Sequence, residues 1–162
     1  MDQFKTAVKR VSEAGNTVEV VLLKPEAASY RHELAAASSV DAIQVFTDQA
    51  SLLRLCVEAK STSNINVFLH DTVIYGGVII SEDAIRWWPY LHGTSTCKLR
   101  AFHFTRPPKS YSQDNNSVSD QFISNHMLLK ESGVRLETED LKERIAELGR
   151  LAETCEKERR LQ

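Results

Sequence analysis

The sequence predicts an α/β domain, a mixed sheet flanked by helices, with a coiled-coil-like helix at its carboxyl end. Three observations predict it. Thr17–Leu23 is a nearly continuous apolar run, as suits a strand covered on both faces. Downstream of it, helical spacing and strand-like alternation succeed one another, the order of an α/β chain. Past Gly133 the pattern changes to a four–three apolar alternation in a charged background. The expected organisation is therefore a domain over residues 1–133 and a charged amphipathic helix over 134–162.

Taken in order, Asp2–Ala14 reads as a helix, because Phe4, Val8 and Val11 recur at four and three residues. Gly15 supplies a left-handed stop, and the strand Thr17–Leu23 follows. Lys24-Pro25 ends that strand, since proline donates no ladder hydrogen bond. Glu26–Ala37, rich in Ala and Leu, predicts a short helix. Ser38–Phe46 is ambiguous between helix and strand. Thr47–Lys60 is amphipathic, with Leu52, Leu53, Cys56 and Val57 on one face.

Asn64–His70 alternates with the period of a strand, and Val73–Ser81 is a second β-rich run. Gly76-Gly77 inside it suggests a bulge or a close approach. The residues from Ser81 to Gly93 read as an aromatic-rich connector containing Trp87 and Trp88. Cys97–Thr105 returns as a strand, Arg106–Asn116 as a polar loop, and Val118–Ser132 as a helix. A helical crossover between two strands implies a right-handed parallel pair, which the later strands extend in antiparallel fashion.

The formal net charge of −2 supplies no global attraction to nucleic acid or anionic lipid. The apolar runs fall far short of the roughly 20 residues a bilayer demands, so no membrane partner is expected. The amino terminus lacks a basic region leading into an apolar one, so no secretory signal is read there. Cys56, Cys97 and Cys155 show no C-x-x-C spacing, which removes the usual zinc and dithiol readings and fits a reducing cytoplasm. Among the five histidines none is spaced to share a metal with another. No cofactor or metal is expected, and no catalytic residue is assigned.

Two constellations remain. Lys24 and Arg31 lie at and after the end of the first strand, and His70-Asp71 closes a later one. Ligands bind at the carboxyl ends of strands in open α/β sheets, so Lys24, Arg31, His70 and Asp71 are expected to gather there and to receive a small anion. A turn capped by His70 and a solvated Lys24–Arg31 face are the simpler explanations. The second constellation is basic and aromatic. Lys98, Arg100, Phe102 and Phe104 would share one face of a strand and could neutralise and stack single-stranded nucleic acid. A charged edge strand explains the same residues.

The order of elements resembles the phospholipase-D-like superfamily. The resemblance rests on the Ala14–Glu26 run around the first strand, on Asn64–Asp71 and on Val73–Asp83, and covers roughly residues 3–132. It implies a half-domain with a mixed sheet between helices. Catalysis in that superfamily requires H-x-K-x4-D. No histidine of this chain has lysine two residues later, so the resemblance implies a catalytically degenerate member.

In the last segment Leu141, Ile145, Leu148, Ala152 and Cys155 form an a/d seam of the kind that favours a parallel dimer. A single helix folded back on its own domain is the competing arrangement. The expected function is a non-catalytic ligand-sensing or protein-interaction module, regulatory in character, that homodimerises through this helix. The alternatives are a phosphodiesterase or nuclease completed by a partner, and a nucleic-acid-binding regulator using the Lys98–Lys109 strand.

Overall fold

The computed structural model describes residues 2–24, 42–71, 76–81, 83–89, 101–105 and 117–160. The helix expected over Glu26–Ala37 and the loop over Arg106–Asn116 lie outside them. The chain is α/β, as the sequence predicts.

Helix α1 (Asp2–Glu13) ends in a Schellman motif. Asn16 N donates to Val11 O and Gly15 N to Ser12 O, with Gly15 at a φ of 77° that side chains rarely adopt. Strand β1 (Val18–Leu23) runs parallel to β2 (Ile65–His70), in a register that sets Val18 beside Ile65 and Leu23 beside His70. Between them lies α2 (Ala42–Lys60), so the described part of the ambiguous Ser38–Phe46 segment is helical. The third strand of this mixed sheet is β6 (Val134–Leu136), antiparallel to β2, giving the order β1-β2-β6.

The alternation within each strand decides what each face covers. Val20, Leu22, Val67, Leu69 and Leu136 point to one side, where they join Val8 of α1 and Ala50, Leu53 and Cys56 of α2 in the main core. Helix α3 (Val118–Ser132) lies across the opposite side, where Glu19 and Phe68 face it. Its amino end is fixed by a capping box between Ser117 and Asp120. Its carboxyl end needs Gly133, because a Cβ there would sit 2.9 Å from the backbone oxygen of Leu69.

Helix α4 (Thr138–Arg160) corrects the expected boundary at residue 133. It begins where α2 ends, with Lys60 Nζ donating to Leu136 O and Glu137 Oε2, and packs back along α2. Leu141 and Leu148 are 0% exposed within the same core as Leu53 and Val67, and Ile145 packs against it. The four–three seam exists, but its partner in this chain is α2. Segment 134–160 therefore completes the domain: three residues add a strand, and the helix closes the core.

The later strands do not extend the mixed sheet. Strands β3 (Gly76–Ile80), β4 (Ala84–Pro89) and β5 (Phe102–Thr105) form a separate antiparallel meander in the order β3-β4-β5. The expected aromatic connector thus contains a strand. The glycine pair occupies regular ladder positions, Gly76 opposite Pro89 and Gly77 opposite Trp88, so no bulge interrupts the pairing there. One face of the meander carries Val78, Ile85, Trp87, Phe102 and Phe104. Phe122 of α3 packs against Trp87 and Phe104, with ring centroids 5.8 and 5.9 Å away.

Candidate functional site at the carboxyl ends of the parallel strands

Parallel pairing brings the ends of β1 and β2 side by side. Lys24 N donates to His70 O at 2.8 Å, extending the ladder by one residue. The Lys24 ammonium then lies 3.3 Å from Asp71 Oδ2, although the two residues are 47 apart in sequence. His70 itself is 1% exposed, so its imidazole is part of the interior rather than the surface. Lys24 is about one-third exposed and Asp71 is open to solvent. Lys24, His70 and Asp71 therefore gather at one end of the sheet, as the parallel topology predicts. Arg31 lies outside the described residues.

A fourth residue at this end was not anticipated. Gln49 of α2 donates its Nε2 hydrogen to Leu23 O at 2.8 Å, tying the helix to the last residue of β1. That bond fixes which way the amide is turned, and Oε1 of the same group is buried with no hydrogen-bond partner. Gln49 precedes the buried Leu53 and Cys56 by one and two helical turns, so the helical repeat carried the signal.

A second polar cluster, also unanticipated, joins β1 to α3. Lys130 Nζ donates to both carboxylate oxygens of Glu19, at 2.9 and 3.2 Å, and His126 Nε2 lies 3.3 Å from Oε2. The same ammonium stands 5.9 Å over the ring of Phe68. Burial alone would raise the Glu19 carboxyl. The hydrogen bonds from Lys130 and His126, with their charges, outweigh it and hold the group below its ordinary range. His126 and Lys130 are four apart on α3 and so share a face, which made the pair legible; their carboxylate partner, 107 residues from His126, was not. The cluster neutralises itself, which suits a clamp between elements better than a receptor for an added charge.

Phe102 and Phe104 sit on β5, but Phe104 faces Phe122 and Phe102 stacks on Trp87 at 5.4 Å, while Lys98 and Arg100 lie outside the described residues. Phe102 keeps 52% of its surface exposed. Of the seam residues, Leu141 and Leu148 are wholly covered by the chain itself, and Ala152 and Cys155 are half-buried. The Cys56 thiol is pushed up to about 11 by burial, which makes it an inert filler of the core. Among the described residues no group of His, Cys, Asp and Glu is arranged to hold a metal ion, and no helix is long and apolar enough to cross a membrane. Comparison with family models, with curated proteins and with solved structures finds no match to this chain.

Proposed function

We propose that the chain is a non-catalytic ligand-binding module that takes a small charged molecule at the carboxyl ends of β1 and β2. The observation that carries the reading is the convergence of Lys24, His70 and Asp71 there, from two strands separated by a full helical crossover. Strand ends of this kind present backbone groups and side chains to a ligand while the sheet holds them rigid. Lys24 supplies the cation for an anionic group.

His70 is followed by Asp71 and Thr72 rather than by a second cation two residues on, and its imidazole is buried, so it offers no attacking nitrogen beside a phosphoryl clamp. Leu141 and Leu148 of the 141–155 seam are already used inside the chain.

The test is a titration of the full chain with inorganic phosphate, followed by amide NMR shifts. The expected result is saturable movement at Lys24, His70 and Asp71, lost in Lys24→Met without a change in unfolding midpoint. Binding that survives Lys24→Met unaltered would refute the site.

A further inference from the structure

We propose that the ligand of this site is a small zwitterion, carrying an anionic group and an ammonium a few atoms apart, as an α-amino acid does. The inference rests on the reading of the strand ends as a ligand site and narrows its chemistry. It comes from what stands beside Lys24.

The ammonium is accompanied by the Asp71 carboxylate at 3.3 Å. A simple anion drawn to Lys24 therefore also meets a negative group, and repulsion offsets part of the attraction. A ligand bearing both charges turns that repulsion into a second bond, its anion on Lys24 and its ammonium on Asp71. Asp71 is suited to this, because its side chain is 72% exposed and its oxygens are open to an incoming donor.

Gln49 adds an independent observation. Its amide is held at the same strand end by Leu23 O, and its buried Oε1 is an acceptor without a partner. Buried acceptors are ordinarily satisfied, and one without a partner on an amide held at this strand end calls for a donor. An ammonium has three hydrogens to give, enough for a carboxylate and an amide oxygen together, whereas acetate has none and phosphate near neutrality has only what hydroxyl hydrogens it retains. Cation, carboxylate and buried acceptor thus form the complement of a molecule with both kinds of group.

The experiment titrates the full chain with the twenty proteinogenic amino acids, first pooled and then singly, and in parallel with acetate and with phosphate, reading the amide shifts of Lys24, His70 and Asp71. At least one amino acid is expected to bind about tenfold tighter than acetate, roughly what one hydrogen bond between charged groups is worth. Asp71→Asn should remove that advantage while leaving acetate binding equal or stronger, a response that a merely structural Asp71 would not produce. If acetate or phosphate binds as tightly as every amino acid, the zwitterion is refuted and the anion site stands. If none of the probes moves these amides, both the zwitterion and the site reading fall.

Discussion

The two sheets among the described residues are built from similar apolar residues and live in different surroundings. The mixed sheet is covered on both faces, by α1 and α2 on one side and α3 on the other, and Val67 at its centre is fully buried. The meander is a local antiparallel ribbon in which Ile85 is fully buried but Ile79 remains 57% exposed. Its outer face carries Arg86 and His103, which pair across β4 and β5. The contrast teaches where stability resides. Strands drawn from distant parts of the sequence are held by a shared core, whereas adjacent strands pair easily but need something to lean on. For the meander, that support includes Phe122 of α3.

The contrast can be broken at its strongest point by Leu148→Asp. An unpaired carboxylate in the core shared by α2, α4 and the mixed sheet should cost on the order of 4 kcal/mol or more, enough to unfold the domain. Urea titration followed by circular dichroism checks it, and a folded variant with altered self-association would contradict the placement of α4. Phe122→Ala should act more locally. A loss of about 2 kcal/mol is expected from removing a half-buried ring, together with a change in tryptophan fluorescence and faster amide exchange in β4 and β5. Protection of β2 should fall less than that of β4.

The smallest effect concerns the charged clamp between β1 and α3. Because the folded state holds the Glu19 carboxyl below its ordinary value of 4.5, the clamp stabilises the chain above that pH. The contribution is lost as pH falls from 4.5 through the lower folded value. Glu19→Gln should therefore be less stable than the parent by about 1 kcal/mol near neutrality. The difference should shrink on acidification, measured as paired urea midpoints across the acid range.

How much of this was legible follows from what each signal depends on. The Gly15 stop followed from turn chemistry, which acts over a few residues, while the parallel pairing of β1 with β2 and the meeting of Lys24 with Asp71 followed from the helical crossover between two strands. Strand β6 has only three residues, too few to show a period, and its role depends on β2, some 65 positions earlier, as in the pairing of Leu69 with Val134. The seam on α4 was visible, but a seam does not name its partner. An a/d stripe fits an identical helix or a neighbouring one in the same chain, and here Leu53 and Cys56 of α2 help form the core it meets. Strand β4 was hidden because Trp87 and Trp88, followed by Pro89, read as an aromatic-rich connector until the ladder with β3 and β5 is seen. Glu19, in the middle of an apolar run, gave no sign that it would meet His126 and Lys130.

Native-state hydrogen exchange across α4, compared with β2 and repeated over a hundredfold range of protein concentration, tests the central claim that the last helix is a wall of the domain's own core. The account predicts that Leu141–Leu148 open with the same free energy as Val67 and Leu69, at every concentration, because all of them belong to one buried cluster. Protection of α4 that is weak in dilute protein and rises with concentration would contradict it, since the seam would then be meeting a second chain.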